Sequence, residues 1–189
     1  KPLSALQAVA RDRRCVILGA PGSGNTTFVY QLADRLAALR LGERTEPLEG
    51  IETNLLPVVV HLRDLAPHLE GIEPDSGDPA QRKRALEAVR AQWREDLPKG
   101  TETFVPRLEE TLESGEALLI FDGLDEVPEA IRKAARFAVG AVLGEYKQIK
   151  RAVITCRIRS YAGNAVFARF PTHVISPFNE DKIRAFVKR

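Results

Sequence analysis

The chain has no methionine, two cysteines, three histidines and one tryptophan in 189 residues, and aromatic residues make up 6% of it. Each scarcity removes a class of explanation. Cys15 and Cys156 lack the spaced partners of a zinc site and are too few for a disulfide scaffold. His61, His68 and His173 are scattered, which favours structural or surface roles over metal ligation. The longest apolar runs, Leu55 to Val60 and Ala117 to Phe121, fall far short of the roughly 20 residues of a membrane-spanning helix. No charged start followed by an apolar stretch marks a signal peptide. A cytoplasmic location with no membrane partner is therefore expected. With 28 basic against 26 acidic residues the formal charge is +2, too balanced for a strongly basic nucleic-acid binder, so no nucleic-acid partner is expected either. Without a methionine at position 1, Lys1 reads as a cut end of a larger protein.

What is present fits one soluble α/β domain: 44% apolar residues, 29% charged and a mean hydropathy of −0.20. Leu3, Leu6, Val9 and Ala10 have helical spacing. A short apolar strand, Cys15 to Leu18, then breaks into glycines, after which Phe28, Leu32, Leu36 and Leu39 repeat at helical intervals up to Gly42. Leu56 to Leu62 reads as a buried strand, and Glu70 to Pro79 as a loop. Helices are expected from about Pro79 to Glu95, with Leu86, Val89 and Trp93 on one face, and near Phe104 to Leu112. Ala117 to Phe121 is a wholly apolar strand, followed by a helix opening at Pro128 and running toward Tyr146. Arg151 to Thr155 and His173 to Ile175 are further strands, and Asn179 caps a closing helix. Strands alternating with helices predict a mainly parallel sheet covered on both faces.

Residues 19 to 26, Gly-Ala-Pro-Gly-Ser-Gly-Asn-Thr, match the phosphate-loop pattern G-x-x-x-x-G-K-S/T at every fixed position except the lysine. Gly19, Gly22 and Gly24 let the backbone approach phosphate oxygens, with Ala20, Pro21, Ser23, Asn25, Thr26 and Thr27 completing the loop and helix start. Thr26 is the expected hydroxyl ligand of Mg²⁺. Asn25 stands in the place of the lysine and carries no charge. A charge-assisted hydrogen bond contributes roughly 1.5–3 kcal/mol, and losing a donor aimed at transition-state charge slows reaction by about a hundred- to a thousandfold. Weak binding and near-absent turnover are the expectation.

The apolar strand before Asp122 delivers that carboxylate to the loop's edge of a parallel sheet, where it can hold Mg²⁺ through a water. Asp125 and Glu126 follow, with Glu126 preferred to orient or deprotonate an attacking water. The alternative is that both only cap the next helix. Arg157, just past another strand end, can contact a terminal phosphate, with Arg159 as the competing choice.

The set Val16 to Gly24, the element Leu118 to Val127 containing Asp-Gly-Leu-Asp-Glu, Ile154 to Arg157 with Tyr161, and Ser176-Pro177-Phe178 resembles the NACHT family of signalling (STAND class) P-loop ATPases over nearly the whole chain. The resemblance implies a three-layer P-loop NTPase fold of ASCE type with strand order 5-1-4-3-2. It also implies a switch that binds ATP or ADP, or GTP, with Mg²⁺ and controls assembly with other copies of itself or with adjacent domains. Asn25 departs from the family pattern and puts hydrolysis in doubt, leaving a pseudo-NTPase interaction scaffold that binds no nucleotide as the alternative. The family's helical and winged-helix subdomains would begin where this chain stops.

Overall fold

The computed structural model describes residues 4–101 and 103–175. The expected helix at Asn179 and the Ser176-Pro177-Phe178 segment lie outside the described residues.

Five strands form one sheet, with every pairing parallel: β1 (Arg14–Gly19), β2 (Leu56–His61), β3 (Ala117–Asp122), β4 (Arg151–Arg157) and β5 (Thr172–Val174). Across the sheet they lie in the order β2-β3-β4-β1-β5, which counted from the opposite edge reads 5-1-4-3-2. Parallel strands need crossovers, and here helices supply them. These are α2 (Asn25–Arg40), α4 (Pro79–Asp96), α5 (Phe104–Ser114) and α6 (Arg132–Glu145), with α1 (Ala5–Arg11) ahead of β1 and the short α3 (Leu62–Leu65) after β2.

The period of two along each strand sorts side chains onto two apolar layers. Ala117, Leu119 and Phe121 of β3 join Val16, Leu18, Ile154 and residues of α4, α5 and α6 in one core. Leu118 and Ile120 join Cys15, Ile17, Val153 and residues of α1 and α2 in the other. All six residues of β3 are buried, which is why this strand reads as a continuous apolar run rather than an alternating one. Each fully buried Leu, Ile or Phe stabilises the fold by roughly 1.5–3 kcal/mol. Among the described residues no helix is long and apolar enough to cross a membrane.

Local chemistry sets the helix starts. Ser4 and Gln7 form a reciprocal capping box for α1, and Asp78 caps α4 with Pro79 at its first position. The helix expected to open at Pro128 begins later. Two 3₁₀ turns, Leu124–Glu126 and Glu129–Ile131, come first, and α6 starts at Arg132. The delay has a cause: Leu124 and Val127 are buried against the sheet, and the Arg132 guanidinium binds the Asp125 and Val127 carbonyls, holding this segment off the helical path. Strand β4 runs two residues beyond its expected end, and Leu62 belongs to α3 rather than to β2.

At the other end of the sheet, Arg151 is 5% exposed. Its guanidinium donates to the Val9 carbonyl at 2.9 Å and the Gly50 carbonyl at 2.6 Å and pairs with Glu52. One side chain thus ties the end of α1 and the 43–54 connection to the start of β4. Replacing it with methionine keeps the stem but strips those acceptors of their donor. Arg151→Met should lower unfolding free energy by about 3 kcal/mol, read as a reduced denaturation midpoint at unchanged slope.

Cys15 and Cys156 are buried in different layers. Cys156 pairs with Leu18, three residues along β1 from Cys15, about 10 Å at strand rise, so no bridge can form. Burial pushes both thiols up to about 12, with Asp12 adding to the effect at Cys15 and Asp125 at Cys156. Only the deprotonated thiolate reacts, and at pH 8 both groups lie far below their raised pKa. Neither should be alkylated in native protein at that pH, whereas both should be labelled in denaturant.

Candidate functional site

The strand register assembles the site. His61 lies opposite Asp122, Phe121 opposite Ile154, and Gly19 opposite Arg157. The C-terminal ends of β2, β3, β4 and β1 therefore meet at one edge, where the 20–24 loop turns into α2. There a cavity of about 270 Å³ is lined by the loop residues Ala20 to Thr27 and by Asp122, Gly123, Asp125, Glu126, Thr155 and Arg157. Apart from Gly19, which sits beneath the loop at the end of β1, and Arg159, the competing choice to Arg157, every residue singled out in the sequence as catalytic, nucleotide-binding or metal-binding lines this cavity.

The loop's shape depends on three glycines: Gly19, Gly24 and Gly22, whose φ is 74°. Gly24, with φ of 89°, is the left-handed N-cap of α2, and no side chain caps that helix, so its first-turn N–H groups have no intrahelical partner. A Cβ on Gly19 would overlap Ser23 Oγ and Asn25 Oδ1. Those two oxygens are packed over the Gly19 backbone, buried and without a hydrogen-bond partner among the described residues. Asn25 instead donates through Nδ2 to the Cys156 carbonyl at 3.2 Å, fastening the first turn of α2 to β4. Thr26 and Thr27 are exposed.

Asp122 is buried, at 7% exposure. Thr155 Oγ1 donates to its Oδ1 at 2.5 Å while accepting the Gly123 N–H at 2.9 Å. Because the amide can only donate, the single hydroxyl proton is directed to the carboxylate. Oδ2 lies 3.7 Å from His61 Nδ1. His61 is itself held by an edge-on contact with Tyr30 and by Gln92, which donates to its carbonyl.

Asp125 does different work from its neighbour. Its carboxylate accepts from the Arg157 backbone N–H and pairs with Arg157 Nε, both at 3.0 Å. It is engaged in holding the arginine. Glu126 is more exposed and lies 3.5 Å from Arg63 of α3. The cavity is thus lined by three carboxylates and one guanidinium, a formal charge of −2. Among the described residues no group of three or more His, Cys, Asp and Glu side chains is arranged to hold a metal ion by itself. A cation here would need Thr26, a ligand's own oxygens or water as well as Asp122.

Three contributors were not evident in the sequence. Thr155 lies inside an apolar strand, where a lone polar residue near the buried end is the usable signal. Arg63 had none, since nothing local links it to Glu126. His61, read as isolated, is brought beside Asp122 by register; both close apolar runs, and parallel strands end at one edge. Of the other histidines, His68 pairs with Glu95 and His173 with Asp12.

No protein-family model matches the chain, and no curated protein matches it. The site therefore rests on its geometry.

The Thr155 bridge makes a direct prediction. Thr155→Val preserves shape but leaves Asp122 Oδ1 and the Gly123 N–H unpaired, and should destabilise the protein by about 2 kcal/mol or more. Thr155→Ser keeps the hydroxyl and should stay within about 1 kcal/mol of the parent. Equal denaturation midpoints for the two variants would show that the bridge does not organise this edge.

Proposed function

We propose that this chain is the nucleotide-binding domain of a NACHT-type signalling NTPase with the P-loop NTPase fold of ASCE type. It binds ATP, ADP or GTP together with Mg²⁺, switches assembly with further copies or adjoining domains, and hydrolyses nucleotide very slowly because of Asn25. The observation that carries this reading is the convergence on one cavity of a left-handed glycine turn, the uncapped N-terminus of a 16-residue helix, a carboxylate closing a buried strand and an arginine closing the next. The buried Ser23 hydroxyl adds a polar group in that loop with no protein partner among the described residues.

In this reading the loop amides and the α2 N-terminus bind phosphate oxygens. Thr26, and Asp122 through a water, would hold Mg²⁺, which when bound neutralises phosphate charge. Thr155 fixes the Asp122 carboxylate in one orientation. Glu126 orients or deprotonates water, Arg157 contacts the terminal phosphate, and Asp125 keeps Arg157 in place.

Asn25 changes the electrostatics as well as the reach. Without a lysine the cavity lining is net negative, so a polyphosphate is repelled unless a divalent cation accompanies it. The second reading, an interaction scaffold that binds no nucleotide, draws on the same residue: Asn25 Nδ2 is already engaged by the Cys156 carbonyl.

Calorimetric titration with ADP and ATP separates the two. Binding should be measurable at millimolar nucleotide with Mg²⁺ and vanish in EDTA. Asn25→Lys should tighten it by about tenfold or more and raise hydrolysis by about a hundred- to a thousandfold. Binding seen only in the lysine variant would favour the scaffold reading for this chain. Silence from both proteins would overturn nucleotide recognition altogether.

A further inference from the structure

Away from the strand-end cavity, sharing none of its lining residues, a cleft of about 380 Å³ lies between α4, α6 and the 74–75 segment. We propose that this cleft is a second anion site, built to take a small-molecule phosphate monoester.

The cleft is cationic and its positive groups are only partly compensated. Arg82 of α4, Lys133 and Arg136 of α6 face one carboxylate, Asp75, a formal charge of +2. Arg82 is exposed and makes no hydrogen bond or ion pair among the described residues. Its guanidinium rests on the backbone of α6: a Cβ on Gly144 would lie 3.0 Å from Arg82 Cζ and closer still to Nη2. A side chain at 144 would therefore push this arginine away, so glycine there gives the guanidinium its seat.

Positions 133, 136, 137, 140 and 144 recur at helical spacing and share one face of α6. Arg136 donates through Nη1 to the Val166 carbonyl at 3.0 Å, which positions the side chain without neutralising it. Lys133 pairs with Asp75, an exposed ion pair at the rim. Such pairs contribute little, so a ligand can compete for the lysine. Gly140 keeps the floor open, since a Cβ there would meet nothing within 4 Å. Phe137, partly buried against the core, supplies an apolar wall.

These features match one ligand chemistry. A dianionic phosphate equals the uncompensated charge, and guanidinium forks bind its oxygens in a bidentate manner. The ester's organic group would lie along Phe137. A free inorganic anion would satisfy the charge but leave that wall uncovered.

The test is titration of isotope-labelled protein with phenyl phosphate at low salt, followed by NMR. Saturable shifts are expected at the amides of Gly140 and Gly144, with inorganic sulfate binding more weakly. Arg82→Ala should weaken binding by about tenfold. Gly140→Leu should abolish it by filling the floor, while keeping or raising the melting temperature because leucine favours a helix more than glycine does. Shifts confined to residues 22–27, unchanged affinity in Arg82→Ala, or sulfate binding as tight as the ester would each overturn the proposal. Since no phosphate-loop residue enters the cleft, the outcome is independent of whether the chain binds nucleotide.

Discussion

Everything at the candidate site follows from the parallel pairing of the strands. Parallel pairing sends each chain back across a helix, covers both faces of the sheet, and makes every strand finish at the same edge. Covered faces demand apolar residues along the strand, which β3 supplies from Ala117 to Phe121. A polar residue can then be tolerated only where a strand leaves the core. Asp122, Arg157 and His61 all sit at that boundary, and Thr155 sits one step inside it. The burial that stabilises the sheet and the clustering of chemical groups at its edge are two results of one constraint.

The edge divides its carboxylates by environment. Asp122 is buried and tied by Thr155, so it is rigid and its free oxygen direction is set. Asp125 is spent on Arg157, and Glu126 is left exposed beside Arg63. Three acids in five positions thus have three different surroundings, although nothing in their sequence spacing separates them. Thr155 relays hydrogen bonds: its oxygen accepts the Gly123 amide and its hydroxyl donates to Asp122, linking the ends of β3 and β4. Arg151 performs a similar joining at the other end of β4. The two ends of this strand are pinned by polar groups, and its middle by apolar packing.

What was legible in the sequence was what repeats or what is constrained locally. The glycine loop between strand and helix, the apolar run ending at Asp122, and the strand ending near Arg157 each announce themselves within a few residues. The boundaries of α4 and α5 were equally local, set by Pro79 and by Gly115. The late start of α6 was not legible, because it depends on Arg132 reaching back to two carbonyls and on Leu124 and Val127 being drawn onto the sheet. The contacts of His61 and Arg63 were hidden for the same reason. They join residues about 60 positions apart, and only strand register brings them together. The cleft between α4 and α6 was hidden too, since Arg82 looks like any other basic residue on a charged helix face until Gly144 is placed beneath it.

Asn25 acts on the loop through both ends of its amide. Its nitrogen donates to the Cys156 carbonyl, so the start of α2 is fastened to β4. Two buried oxygens, Ser23 Oγ and Asn25 Oδ1, have no partner among the described residues, and each such atom costs about 1–3 kcal/mol. The two are not equivalent. The serine hydroxyl can rotate and donate to an anion, while the amide oxygen only accepts and repels one. The loop thus presents one group able to donate and one able only to accept within a single turn, both packed against Gly19.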